Sequence, residues 1–552
     1  MNKNLISWLR HHLALLVLLS AAFLIYAPSL SGDFVIDDIP FIKDNPYIRD
    51  FSHIARFFTK GVWENSALEV NNVSIYRPMN LIPMLLNHAM WGNNPVGYHV
   101  FLLLLHLANT CLVYVLIRKL VVGSAMAATI GAALFALHPA RVESVAWISG
   151  GIDPLVTFFL LGAMLAHLSF VDSSNTKKEW RYLALSLLCF QLALWSKEVA
   201  IVFPLIAVAY GLTYRKKIPW PTISLYALLI VVYLVARSLV LGEAGKWGAI
   251  NLKQFSRAID FALGYCELLL FPAKIPFYLQ PPEHSVSSAL GVAGAIIIIM
   301  LAVFSWRVFD SGRRKTLIFS AIWIVGFFWP AILLAFYAEG YYAARNLYIP
   351  AVGVAIFSAA LYEYMNETYP GLKIPVITSC VLIASIYGIV TLKEIPAWRD
   401  NETIYGKIAG LAPESDGGFS GLGQFYLLKE DYAAAEKNYL LALQKSRNPQ
   451  NRVSALVALG TIQGMSNNLT SSERYLSEAV QIDPNNSEAW AGLGNLAWMQ
   501  GRTYDAISSY EKAVSIHPGN YEAAMNLAMA YEKIGQPERG ASVRQQAAII
   551  RR

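Results

Sequence analysis

The chain has 552 residues, 56% of them hydrophobic and only 15% charged, where a soluble protein carries about 25% charged residues. Its formal charge of +7 would suit nucleic acid if it formed a basic face. Lys and Arg instead fall in short loops between apolar runs, so membrane topology explains them better and nucleic acid is not an expected partner.

Residues 1–393 hold nearly all the long apolar runs, and 394–552 read as soluble and helical. Lys3 and Arg10 precede an apolar stretch from Leu13 to Pro28. A cleaved signal peptide would need a small-x-small site before the charged segment that follows. No convincing one is present, so an uncleaved first span is expected. A spanning helix needs about 20 apolar residues, fewer where the bilayer thins. Eleven segments qualify approximately: 13–28, 98–117, 124–138, 152–170, 182–195, 199–213, 220–241, 288–306, 316–336, 347–364 and 374–392. Residues 257–272 read as a further helix in the interface or dipping into the bundle.

The basic residues set the orientation. Lys3 and Arg10, Arg118 and Lys119, Lys177, Lys178 and Arg181, Arg215 to Lys217, Arg313 to Lys315, and Lys373 occupy every second loop. The positive-inside rule makes that face, and the N-terminus, cytoplasmic. The opposite, extracytoplasmic face receives loops 29–97, 139–151, 196–198, 242–287 and 337–346 and everything after 393. Those loops carry Asp37, Asp38, Arg77, His138, Arg141, Glu143, Asp153, Lys197, Glu198, Glu339 and Arg345, which can converge on one cavity at the outer membrane surface. Cys111, Cys189, Cys266 and Cys380 lie in or beside apolar segments. Their spacing fits no zinc, redox or disulfide framework, so they read as buried thiols.

Each charged motif has a bland and a chemical reading. Asp37-Asp38 is a solvated pair or helix cap, or else it contains a general base that deprotonates an acceptor hydroxyl. A like-charged neighbour would raise one of the two pKa values. Two adjacent carboxylates are a weak metal signal, and a divalent ion stays undecided. Arg77, before a hydrophobic stretch, either snorkels or pairs with a phosphate through its guanidinium fork. His138-Pro139-Ala140-Arg141-Val142-Glu143 follows the third span, where Pro139 stops the helix. A lone histidine is more often structural, but His, Arg and Glu within six residues favour a site. Asp153 begins the next span. Lys197 and Glu198 sit in a tight turn and either pair with each other or face the cavity. Arg345 enters another span and is the best alternative phosphate partner. No P-loop, Rossmann glycine pattern or nucleophile elbow is present, which argues against ATP hydrolysis and soluble redox chemistry.

The C-terminal part is a repeat array. Trp490, Leu493-Gly494, Ala506, Tyr510, Ala513 and Pro518 match the tetratricopeptide pattern position by position. Leu459-Gly460, Ala479 and Pro484 match the preceding unit. Leu422-Gly423, Tyr426, Ala435, Tyr439 and Ala442 match the first, and Leu527, Ala528, Tyr531 and Ala547 the last. About four repeats suffice for a continuous core. Such arrays bind peptides or proteins, so this part is expected to bind rather than catalyse.

With these residues in place, the chain resembles polytopic GT-C-type glycosyltransferases fused to tetratricopeptide repeats, the transmembrane-and-tetratricopeptide O-mannosyltransferases and their prokaryotic relatives. The segments that carry the resemblance start with Phe34-Val35-Ile36-Asp37-Asp38, Tyr76-Arg77-Pro78 and Trp91-Gly92 through Tyr98-His99 to His106 and Asn109. Phe135 to Pro139 with Val142 to Trp147, Lys197-Glu198, and Arg345, Leu347, Tyr348 and Pro350 follow in order. The chain departs at Gly151, where relatives often carry Arg after Ser-Gly, and at Ala344, where they often carry Glu. The resemblance implies a polyprenyl-phosphate hexose donor, transfer to a protein hydroxyl outside the cytoplasm, and a catalytic base in the acidic pair, Asp37 ahead of Asp38.

The expected fold is all-α: a GT-C-like transmembrane bundle over 1–393, a linker over 394–415, and an α-solenoid of repeats over 416–552. The expected activity is hexosyl transfer, of mannose or another hexose, to protein Ser or Thr, with no nucleotide or redox cofactor. Rival readings are a non-enzymatic membrane-anchored scaffold for envelope assembly, and a transferase acting on lipid or envelope glycan. A scaffold needs neither an outward acidic pair nor basic residues at span ends. The partners expected are the donor lipid, the bilayer and a protein held by the repeats.

Overall fold

The computed structural model describes residues 3–67, 75–121, 123–173, 176–216, 218–242, 252–272, 275–276, 288–337 and 342–550. Glu339 and Lys217 lie outside the described residues. The chain divides into two compact units, Met1–Asp400 and Asn401–Arg552. Among the described residues every regular element is a helix, which makes the fold all-α.

The first unit runs α1 (Lys3–Tyr26), α2 (Ile54–Thr59), α3 (Leu81–Trp91), α4 (Pro95–Leu120), α5 (Ala125–Leu137), α6 (Val142–Ala146), α7 (Ile152–Val171) and α8 (Thr176–Ser196). It continues with α9 (Phe203–Tyr214), α10 (Trp220–Leu241), α11 (Leu252–Leu270), α12 (Ala289–Val308), α13 (Ser311–Tyr337), α14 (Pro350–Thr368) and α15 (Lys373–Glu394). Local signals explain the boundaries. At α4, Asn94 accepts the Val96 N–H, Pro95 opens the helix and Arg118-Lys119 close it, which suits the exposed donors at its start and the dipole at its end. Pro139 ends α5, and the chain bends by 57° into residues Pro139–Ala146, since proline cannot continue the hydrogen-bond ladder.

All eleven expected spans fall on helices, and residues 257–272 fall largely on α11. Among the described residues seven helices are long and apolar enough to cross a membrane, and the bent pair formed by α5 and Pro139–Ala146 makes an eighth. The other three expected spans lie on α8, α9 and α14. α9 has only 12 residues. α8 opens on Lys177, Lys178 and Glu179, and α14 carries Glu363 and Glu367 near its end.

Two sets of helix ends can be told apart by their partners. At one, Lys119 reaches Ser169, Glu363 accepts from the Ser124 N–H and hydroxyl, Lys216 pairs with Asp172, and Arg313 pairs with Glu367. These are the basic loops of the sequence pattern. At the other, the end of α1 and the starts of α4, α7 and α14 gather the acidic loop and its partners. That loop is packed rather than loose. Phe34, Phe41, Ile42, Ile48 and Phe57 form one buried cluster with Leu81, Leu85, Tyr98, Leu102 and Ile148, which fixes residues 34–57 to α3 and α4.

The second unit contains α16 (Asn401–Leu411), α17 (Gly417–Leu428), α18 (Tyr432–Lys445), α19 (Pro449–Met465), α20 (Leu469–Ile482), α21 (Ser487–Met499), α22 (Thr503–Ile516), α23 (Tyr521–Lys533) and α24 (Pro537–Ile550). In the expected linker, residues 394–398 of the first unit are helical as well, through the 3-10 turn Ile395–Trp398. Asp431, Asn468, Asn486 and Asn520 cap α18, α20, α21 and α23. Gly494 shows why the repeat needs a small residue: a Cβ there would lie 2.5 Å from Tyr510. The buried Tyr510 ring packs with Ala497, Ala506, Leu527 and Tyr531.

Candidate active site

The acidic pair follows a strained turn. Ile36 has φ of 51°, a left-handed value that a β-branched residue adopts only when its surroundings compel it. The turn separates the two carboxylates. Asp38 is fully buried and accepts three hydrogen bonds: from the Val35 N–H at 3.1 Å, the Ser149 N–H at 2.7 Å and the Ser149 hydroxyl at 2.5 Å. Asp37 is half-buried, and its carboxylate makes no hydrogen bond or ion pair among the described residues. Burial raises the Asp37 pKa, against the opposing field of Arg345. Burial pushes Asp38 up to about 7; the Ser149 and Val35 bonds oppose this, and the Asp37 charge adds to it.

Three ion pairs hold the nearby cations. Arg77 grips both oxygens of Glu198, Nε donating to Oε1 at 3.2 Å and Nη2 to Oε2 at 2.7 Å, the two-pronged geometry that suits a guanidinium and a carboxylate. Lys197 Nζ lies 2.6 Å from Asp153, whose side chain is 2% exposed. Arg345 pairs with Glu143 at 3.1 Å through its side chain and donates its backbone N–H to the same carboxylate at 3.0 Å. Lys197 and Glu198, adjacent in sequence, therefore turn to different partners. The pairs form one electrostatic cluster. Arg345 reaches Asp37, Glu143 and Lys197, and Arg77 reaches Lys197 and Asp153. Each cation keeps about a fifth of its side chain exposed, whereas Glu143 and Asp153 are almost wholly covered. Asp153 and Glu143 thus sit behind Lys197 and Arg345, whereas Glu198 is more exposed than its partner Arg77.

Two of the sequence-predicted residues are not presented in this way. Both His138 ring nitrogens are engaged, Nε2 with the Leu269 carbonyl at 3.0 Å and Nδ1 with the Ala140 N–H at 3.1 Å. This histidine ties the end of α5 to α11 because Pro139 leaves that end without a continuing ladder. Arg141 is fully buried, its guanidinium against the rings of Phe135 and Tyr348, with no hydrogen-bond partner among the described residues. The structure also adds two residues to the site. Ser149 organises Asp38, and nothing in a single sequence distinguishes it from other serines near helix starts. Trp147 lies under Arg345, its ring centre 5.1 Å from the guanidinium carbon.

A small apolar cleft adjoins Ser149, lined by Pro83, Met84, Phe101, Leu102, Ile152 and Leu155 among others. Gly151 also lines it, and a Cβ there would lie 2.2 Å from Leu102. An arginine at this position would have to displace that leucine. Among the described residues no three His, Cys, Asp or Glu side chains converge as a metal site.

Comparison with known proteins follows the two units. The tetratricopeptide repeat family matches residues 487–520. A protein O-mannosyl-transferase of Caenorhabditis elegans is 25% identical over 448 residues, covering 78% of this chain and 62% of that protein. Human protein O-mannosyl-transferase TMTC3 is 21% identical across 93% of this chain and 65% of its own length. A Drosophila melanogaster protein O-mannosyl-transferase is 32% identical over 180 residues, 33% of this chain and 20% of that protein. The chain thus spans less than two thirds of the length of these relatives. Among solved structures, a crystal structure of MamA covers 27% of this chain at 21% identity and a TM-score of 0.24. The chain is similar to protein O-mannosyl-transferases of the transmembrane-and-tetratricopeptide type along most of its length, and it carries a tetratricopeptide repeat.

Proposed function

We propose that this protein is a multi-pass membrane glycosyltransferase that moves mannose from a polyprenyl-phosphate donor to a Ser or Thr hydroxyl of a protein, on the extracytoplasmic face. The observation that carries this reading is the pairing of an unengaged carboxylate, Asp37, with a neighbouring row of partly exposed cations, each ion-paired to a carboxylate that is buried behind Lys197 and Arg345 and partly exposed at Arg77. Asp37 takes the acceptor hydroxyl proton while the oxygen bonds to the sugar anomeric carbon. The bond from that carbon to the phosphate oxygen breaks, and the polyprenyl phosphate leaves with one more negative charge. Arg345, Lys197 and Arg77 meet that charge where it develops. Asp38, fixed by Ser149, holds the loop so that Asp37 stays aimed. The anomeric configuration inverts.

The apolar cleft beside Ser149 suits the first isoprene units of the donor. The named activity of the relatives supports mannose and a protein acceptor, and the repeats supply a surface of the kind that holds polypeptide. The alternation of basic loops supports a cytoplasmic N-terminus with both the site and the repeats outside. The test is transfer of radiolabelled mannose from the synthetic polyprenyl-phosphate donor to Ser/Thr peptides by the purified full-length protein in nanodiscs. No transfer to peptide, with transfer to a glycolipid acceptor, would move the protein to the lipid-glycan class. No turnover with any acceptor, by a protein that still binds donor, would leave a scaffold.

A further inference from the structure

The 3-10 turn Ile395–Trp398 is the last regular element of the first unit, and the boundary with the second falls two residues later. It is anchored more firmly than a tether needs to be. Trp398 is 4% exposed and stacks on Trp147, with ring centres 5.6 Å apart and planes 19° from parallel. The next residue, Arg399, accepts the Asp33 N–H on its carbonyl at 2.8 Å. The turn is therefore fastened to the loop that carries Asp37. Trp147 in turn supports the Arg345 guanidinium at 5.1 Å. Glu143, the carboxylate that pairs with Arg345, lies one helical turn before Trp147 on α6.

We propose that Trp398 is a positioning residue for Arg345, acting through Trp147, so that the segment leading into the repeats is part of the donor-phosphate site; this rests on the reading of Arg345 as a phosphate contact. Glu143 fixes where the charge of Arg345 sits, but one carboxylate does not fix the plane of the guanidinium. A flat aromatic face does, because the cation is attracted to the ring and its plane settles against it. The Trp147 ring can serve only if its own tilt is held. Trp398 holds it, since a stacked neighbour removes the space into which the indole would swing. The same turn contacts the acidic loop through Arg399, so one short segment registers the base and the phosphate-binding cation against each other.

The experiment compares wild type, Trp398→Ala, Trp398→Phe, Trp398→Leu, Arg345→Ala and the Trp398→Ala/Arg345→Ala double variant as full-length protein in nanodiscs. Donor KM, acceptor KM and kcat are measured with polyprenyl-phosphate mannose and a Ser/Thr peptide. Trp398→Ala is expected to raise donor KM by about five- to thirtyfold, the range of a desolvated cation–ring contact, with acceptor KM within about twofold. Phe should restore most of the donor affinity. Leu, which fills the space without a ring face, should not, and it keeps the test open if Ala fails to fold. The double variant should be no worse than Arg345→Ala alone, as expected for two residues acting on one contact. If Arg345→Ala leaves donor KM unchanged, the phosphate-contact reading fails. If Arg345→Ala weakens the donor while Trp398→Ala and Trp398→Leu do not, or if the two losses add, the positioning role is overturned.

Discussion

The contrast between Asp37 and Asp38 gives the sharpest test of the proposed chemistry. Asp37 is half-buried and its carboxylate makes no hydrogen bond among the described residues, so Asp37→Asn removes no structural contact. Its effect on stability should stay within about 0.5 kcal/mol, as for a substitution away from packed features. If Asp37 is the base, the amide cannot accept the acceptor proton, and kcat should fall by about a hundred- to ten-thousandfold, equivalent to roughly 3–5 kcal/mol of barrier. Asp38→Asn differs in kind. An amide oxygen can replace one carboxylate oxygen towards Ser149, but the amide nitrogen then faces the Val35 N–H, donor against donor. One buried donor loses its partner, at about 1–3 kcal/mol, and the loop that aims Asp37 loosens. The two variants should therefore separate: Asp37→Asn keeps its melting temperature and loses turnover, whereas Asp38→Asn loses both in part. The assay is single-turnover mannose transfer by purified protein, with donor binding and thermal melting measured on the same preparations. An Asp37→Asn enzyme within tenfold of wild type would refute the general-base assignment.

Other consequences follow from the ion pairs and from burial. Arg345→Ala and Arg77→Ala should each weaken donor binding or turnover by about ten- to a hundredfold, as for loss of a charge-assisted contact of roughly 1.5–3 kcal/mol; Lys should rescue only partly because it lacks the planar fork, and wild-type donor kinetics in both Ala variants would reduce these arginines to structural ties. Lys197→Ala should cost folding as well as activity, by about 3–5 kcal/mol, because it leaves the nearly buried Asp153 carboxylate unpaired. A Lys197→Ala/Asp153→Ala pair that melts no higher than the single variant would contradict this. Asp38 is protonated more readily in the folded chain than in the unfolded one, since its folded pKa is raised to about 7. Its stabilising effect is complete below the unfolded value of about 4 and is lost as pH rises through about 7. Wild-type melting temperature should accordingly decline across that window, and the decline should flatten in Asp38→Asn. An identical slope in the two proteins would place the proton elsewhere.

The sequence by itself determined the classes of structure. Bilayer-length apolar runs admit only helices here, because backbone groups in hydrocarbon must be satisfied within the segment. The tetratricopeptide positions were legible because each small or aromatic residue answers a local packing demand, as Gly494 does against Tyr510. The acidic pair and the cations at helix ends were legible as types and places, since charge next to a membrane span is costly unless it is used. Partners were not legible. Sequence adjacency suggested that Lys197 pairs with Glu198, yet one turns to Asp153 and the other to Arg77, because the backbone between them bends out of a helix into an extended residue. The different environments of Asp37 and Asp38 depend on Ser149, 111 residues away from Asp38. His138 and Arg141 carried the same outward signal as Glu143, and only packing turned them inward, against α11 and the Tyr348 ring. Hydrophobic pattern and turn chemistry are local, whereas ion pairing and burial are set by which helix ends meet, and that is decided by the fold as a whole.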